Sequence, residues 1–226
     1  MALFNTIPQA SKSLRVLALL LGYPDAELRA HLGELQSALH AERALSESRL
    51  AELDALIATL ARKGVLEAES DYVELFDRGR ATSLHLFEHV HGDSRDRGPA
   101  MIDLTKTYEQ AGLHLGEDEL PDFVPVVLEF ASTLEPRQAR EFLAEMAHIF
   151  NAIFAALQKR ESPYAAVLGA LLELAGEKAS AVEIAPEEPI DAVWEEPVVF
   201  DGCSSKGQAR PCARWGWVAP GRALSI

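Results

Sequence analysis

Apolar residues recur at steps of three and four through nearly all of the chain before Gly176, without the period-two alternation of strands joined by hairpin turns. The pattern predicts an all-α domain of about eight helices. A first helix runs from about Ser11 to Leu21 and stops at Gly22-Tyr23-Pro24, and a second carries Leu28, Leu32, Leu35 and Leu39 on one face. A third stacks Leu50, Leu53, Ile57 and Leu60 and ends at Gly64, taken as a left-handed C-terminal residue. The fourth is expected to start at Ser70 or Asp71, where Asp71 and Glu74 have capping-box spacing, and to fade near Gly79.

Beyond an arginine-rich loop, Met101, Leu104, Tyr108, Ala111 and Leu115 form the seam of a fifth helix, and a sixth covers about Asp122 to Leu134. The stretch from Pro136 to Arg160 has the broadest apolar face, with Phe142, Met146, Ile149, Ile153 and Leu157, and reads as one long central core helix. Ser162-Pro163 opens the last helix, whose Val167, Leu168, Leu171 and Leu172 point inward before Gly176 ends it. These elements define a helical domain over residues 1–180. From residue 181 onward, prolines 186, 189, 197, 211 and 220 interrupt any long helix, so 181–226 reads as an acidic, largely irregular tail holding Trp194, Trp215 and Trp217.

Charge narrows the function. A formal net charge of −14 and a pI near 4.9 argue against a nucleic-acid surface and favour a basic partner. The longest strongly apolar run, Val16 to Leu21, is far below the ~20 residues that cross a bilayer, and the N-terminus lacks the pattern of a secretory signal. With only Cys203 and Cys212, the chain has neither a disulfide framework nor a cysteine zinc site, which points to the reducing cytosol. No nucleotide-binding glycine pattern is present.

The stretch from Ser70 to Leu104 concentrates aromatic, histidine and arginine side chains between helices. His85, Glu88 and His89 have the H-x-x-E-H spacing of one zinc peptidase class, since histidines four apart on a helix face one way. Against that reading stands a plainer one, in which His85, His89 and His91 are surface or capping histidines on a short helix anchored by Leu84 and Phe87. Arg78, Arg80, Arg95 and Arg97 serve either the chain's own carboxylates or those of a partner. A second constellation, Glu117 to Glu129, reads as a helix start with Asp122 as cap and Pro125 in the first turn, and it leaves room for an acidic rim beside an apolar groove.

Three motif segments are long and ordered: Tyr72-Val73-Glu74-Leu75-Phe76-Asp77, Ser83 through Gly98 (SLHLFEHVHGDSRDRG), and Leu120 through Glu129 (LPDFVPVVLE). Together with Trp194-Glu195-Glu196-Pro197, they resemble the NarJ-type nitrate reductase assembly chaperones, the nitrate reductase delta subunit family, over about residues 10 to 200. The resemblance implies the all-helical fold of the redox-enzyme maturation chaperones, a group that includes TorD-like and DmsD-like proteins. It also implies a cytoplasmic, non-enzymatic protein with no cofactor of its own. Such a chaperone binds the N-terminal segment of the apo catalytic subunit of a membrane-bound respiratory nitrate reductase. It supports insertion of the molybdenum cofactor and an iron-sulfur cluster before the enzyme docks at the membrane.

The Glu-Pro and Asp-His pattern of TorD-like relatives is replaced here by Leu120-Pro121-Asp122-Phe123, so no role tied to that histidine carries over. Motif position and apolar character together nominate Tyr72, Phe76, Phe87, Phe123 and Val127 as the lining of a client groove. Glu119 and Asp122 are placed on its rim, with Arg95 and Arg97 as polar contacts. The expected assembly is a monomer or weak dimer without metal. The alternatives are a zinc-dependent peptidase using His85, Glu88 and His89, and a non-catalytic helical scaffold.

Overall fold

The apolar run Val16–Leu21 sits in α1 (Ser11–Leu21), whose Leu14, Leu17, Leu20 and Leu21 are buried. No side chain beside it caps its N-terminus. Instead the Glu42 carboxylate accepts the backbone N–H groups of Lys12 and Ser13 at 2.9 and 2.6 Å, putting negative charge where unpaired N–H groups and the helix dipole favour it. The computed structural model describes residues 7–92, 94–116 and 119–180. The expected tail, with its tryptophans, cysteines and Trp194–Pro197 element, lies outside them.

Among the described residues there are eleven α-helices and no strand, one isolated bridge between His85 and Phe123 aside. The excess over the expected eight has local causes. The second predicted helix is two, α2 (Ala26–Ala30) and α3 (Leu32–Glu42), interrupted at His31. Asp25 caps α2 through a 2.8 Å bond from Leu28 N–H. The long stretch 136–160 is also two, α9 (Pro136–Glu145) and α10 (Ala147–Lys159), with Met146 at φ −98° and ψ 0° between them.

Ser46 caps α4 (Glu47–Arg62) as its hydroxyl accepts Arg49 N–H. Gly64 is not left-handed; its φ of −63° and ψ of 153° are extended, and α5 (Val65–Tyr72) begins immediately after it. The helix therefore starts five residues before Ser70, and Asp71 and Glu74 do not form its capping box. After Tyr72 the turn widens into a π turn over Val73–Asp77, with Arg78 N–H reaching Val73 O at 3.3 Å. A single 3₁₀ turn (Arg80–Thr82) and α6 (Leu86–Val90) follow. In α7 (Arg97–Gln110) only Tyr108 is buried, so the expected seam is a single anchor, and Ala111 lies exposed beyond the helix end.

Helix α8 (Val124–Thr133) packs along α1, and α11 (Ala165–Ala175) touches α1, α4, α9 and α10. The centre is α11 rather than the 136–160 stretch. Its sequence AAVLGALLELA has one charged residue, and eight of its eleven residues are buried, the all-round apolarity of a helix enclosed by others. Gly176 closes it at φ 80°, where a side chain would be strained. No helix among the described residues is long and apolar enough to cross a membrane.

An aromatic cluster joins α5 to the α1–α2 turn and the head of α11. Tyr72 stands 4.8 Å from Phe76, 5.6 Å from Tyr23 and 6.2 Å from Tyr164, and Phe76 is 5.1 Å from Tyr164. The Tyr72 hydroxyl donates to Leu21 O at 2.7 Å, the carbonyl end of α1. Burial pushes the Tyr72 and Tyr164 phenols above their ordinary range. Phe76→Ala should therefore lower the unfolding free energy by about 3–5 kcal/mol in urea titration. Leu66→Ala, at a side chain 81% exposed, should stay within about 0.5 kcal/mol of the parent.

Candidate functional site

The motif segments around residues 83–91 and 120–124 are tied together by backbone bonds: Leu86 N–H donates to Asp122 O at 3.0 Å, and Val124 N–H to Leu84 O at 2.9 Å. At the centre is Asp122, with no solvent exposure. Its Oδ2 accepts Phe87 N–H at 3.1 Å, so it caps α6, the neighbouring helix, and not the helix it precedes in sequence. His85 Nδ1 stands 3.4 Å from Oδ1, and Arg97, from the head of α7, stands 3.9 Å from Oδ2 and 3.6 Å from Glu88. A third tie comes from Tyr108, whose hydroxyl donates to Pro121 O at 2.8 Å. The segments form a polar knot in which the buried Asp122 carboxyl is faced from α6, α7 and His85.

This geometry corrects four of the nominated positions. Tyr72, Phe76 and Val127 are core residues, packed inward by α5, the π turn and the all-round apolar face of α8. Asp122 is buried in the knot and lies on no rim. The others reach the surface: Phe87 and Phe123 are half-buried, packing on His91 at 5.4 Å and on His85 at 5.2 Å. Arg95 is exposed, Arg97 faces the knot, and exposed Glu119 accepts Gly116 N–H at 2.8 Å. They do not share one groove with the buried four.

The H-x-x-E-H spacing does not produce a helical pair either. His85 precedes α6 in extended conformation (φ −94°, ψ 109°), so it lacks the i, i+4 relation to His89 that shared ligation requires. His89 Nε2 bonds Ser83 O at 2.8 Å, while His85 turns to Asp122. Among the described residues no group of three or more His, Cys, Asp and Glu side chains is arranged to hold a metal ion.

A concave surface lies elsewhere, where the C-terminal end of α1, the α2–α3 pair and the head of α8 line about 510 Å³. Leu19, Tyr23, Leu28, Leu35 and Pro125 give it an apolar floor, and Asp25, Glu27, Glu34 and Glu129 stand around it. Leu19 is 46% and Tyr23 48% exposed, large apolar surfaces that the described residues leave open. His31 also lines it, with its Nδ1 3.4 Å from the Glu34 carboxylate. Sequence reasoning missed this groove, although six consecutive apolar residues in Val16–Leu21 exceed what one buried helix stripe needs, and Leu19 is the surplus.

A family model described as nitrate reductase delta subunit matches residues 23–169, spanning both the knot and most of the groove. The chain belongs to the nitrate reductase delta subunit family. Within the relatives it resembles, the nitrate reductase molybdenum cofactor assembly chaperone NarJ of Escherichia coli K12 is 43% identical over 196 residues, covering 82% of this chain and 83% of NarJ. A second protein of that strain, assigned as the assembly chaperone NarW, is 40% identical over 82% of each chain. A structure from Archaeoglobus fulgidus, assigned as a redox enzyme maturation protein, overlays with a TM-score of 0.52 at 19% identity. It covers 78% of this chain and 100% of its own, which supports the fold alone.

In this delta subunit family member the knot predicts its own test. Asp122→Ala leaves Phe87 N–H without its acceptor and should destabilise the fold by about 1–3 kcal/mol. Amide exchange should quicken at Phe87 more than in α11, measured by hydrogen exchange and NMR. Equal acceleration in both would show that the knot opens only with the whole domain.

Proposed function

We propose that this protein is a system-specific chaperone of nitrate reductase assembly. It captures an N-terminal segment of the apo catalytic subunit as an amphipathic helix in the α1–α3 groove. There it holds the subunit, in the cytoplasm, while the molybdenum cofactor and an iron-sulfur cluster are inserted. The observation that carries the binding mode is the groove, an uncovered apolar floor within a ring of carboxylates. A helix with Leu or Phe on one face and Lys or Arg beside it complements both features. Family membership and the function named for the relatives at 43% and 40% identity support the client class.

The energetics suit a holder that must let go. Burying two or three client side chains gives about 1.5–3 kcal/mol each before ordering and association costs are subtracted. The acidic rim steers a basic segment and speeds encounter. Release follows when the loaded subunit folds that segment into its own structure, a shift of populations that needs no catalytic group on the chaperone.

Calorimetric titration with a synthetic peptide of the catalytic subunit's N-terminal segment tests this mode. Leu19→Asp should weaken binding about tenfold or more with the unfolding midpoint nearly unchanged, as Leu19 is a partly exposed groove residue. Glu34→Lys with Glu129→Lys should weaken it further and flatten its salt dependence. Unchanged affinity in all of these proteins would remove the groove from the function.

A further inference from the structure

A second concavity opens on the other side of Tyr23. It encloses about 270 Å³ between Tyr23, Leu66, Glu69, Val73, Glu74 and Arg78, on α5 and the π turn. Tyr23 lines both this space and the α1–α3 groove, so one half-exposed ring forms the ridge between them. The ridge is fixed from beneath: Tyr23 packs edge-on against Tyr72, which is anchored to Leu21 O at the end of α1. Its hydroxyl titrates above the ordinary range, first through desolvation and then through the adjacent Glu69 carboxylate.

From these observations we infer that the client-binding surface continues over Tyr23 and that this second groove receives the stretch of client chain following the bound helix. The inference rests on the α1–α3 groove being the helix site. The occupant follows from the chemistry on each side. Leu66, 81% exposed, is a long apolar side chain on the outer wall of the second groove, and Val73 lies half-buried within it. Glu69 and Glu74 place two carboxylates there against one guanidinium, Arg78.

That lining fits an extended segment with one apolar anchor and one Lys or Arg, the same polarity as the helix it continues. A different partner would have no reason to share the Tyr23 ridge and its acidic surroundings. The widened turn contributes as well. By bonding Arg78 N–H to Val73 O, it sets these residues in a broader coil than an α-helix gives, a feature that recurs at functional sites. Tyrosine at the junction suits the task, since its rigid ring contacts chain on both faces at small entropic cost.

The test compares two synthetic peptides on the full-length protein by calorimetry. One covers the N-terminal helix of the nitrate reductase catalytic subunit; the other extends it by about eight residues, roughly 26 Å of extended chain. The extended peptide should bind about tenfold more tightly, the worth of one partly buried leucine-sized contact. Leu66→Asp and Glu74→Lys, at exposed positions, should abolish that gain and leave the short peptide's affinity unchanged. Equal affinity of the two peptides for the parent protein, or a gain that survives both substitutions, overturns the second groove while the first stands. Failure of both peptides to bind overturns the first groove and this inference together.

Discussion

A carboxylate without solvent contact is stable only where protein donors stand in for water, and in this fold that requirement organises the surface segments around Asp122. Phe87 N–H supplies the hydrogen bond to Oδ2, the Arg97 guanidinium stands 3.9 Å from the same oxygen, and His85 Nδ1 faces Oδ1 at 3.4 Å without a hydrogen bond between them. Because the same residue's carbonyl accepts Leu86 N–H, α6 cannot shift without breaking both contacts. The head of α8 is fixed in turn, since Val124 N–H is held by Leu84 O. Pro125 and Glu129, one floor residue and one rim residue of the groove, follow from that placement.

The molecule thus separates two kinds of work. The motif-rich segments 83–91 and 120–124 hold parts of the structure in register, and the aromatic cluster of Tyr72, Phe76 and Tyr164 fixes α5 against the end of α1. In the proposed binding mode, the exposed groove between those fixed parts is the recognition surface. Arg29, on α2, illustrates the arrangement. Its guanidinium donates to the carbonyls of Leu60 and Lys63 at the end of α4, where a cation offsets the helix dipole. The short α2, with its cap Asp25 and with Glu27 and Leu28, is thereby pinned to the body.

Period and composition made the all-α architecture legible, including α1 from Ser11 to Leu21 and the turn at Gly176. The breaks at His31 and Met146 left no mark, because neither position carries a glycine or proline and the apolar steps continue across both. Gly64 misled for the opposite reason: glycine permits the left-handed region without requiring it. At the site, motif position singled out residues that matter locally but could not tell a knot from a groove. Tyr72, Phe76 and Val127 have the same apolar character whether they face a core or a client. Asp122 sits one residue before the N-cap of α8 yet serves α6, a pairing created by tertiary contact alone. The groove escaped notice because Leu19, Leu28 and Leu35 come from three short helices, and only folding brings them beside Glu129.

Hydrogen–deuterium exchange of the full-length protein, with and without the catalytic subunit's N-terminal peptide, tests the separation of knot from groove most directly. Binding in the groove should slow exchange at the end of α1, in α2 and α3 and at the head of α8, and leave the knot amides of residues 84–90 at their free-protein rates. Slowing confined to residues 84–90 and α7, with α1 to α3 unchanged, would place the client on the knot and contradict it.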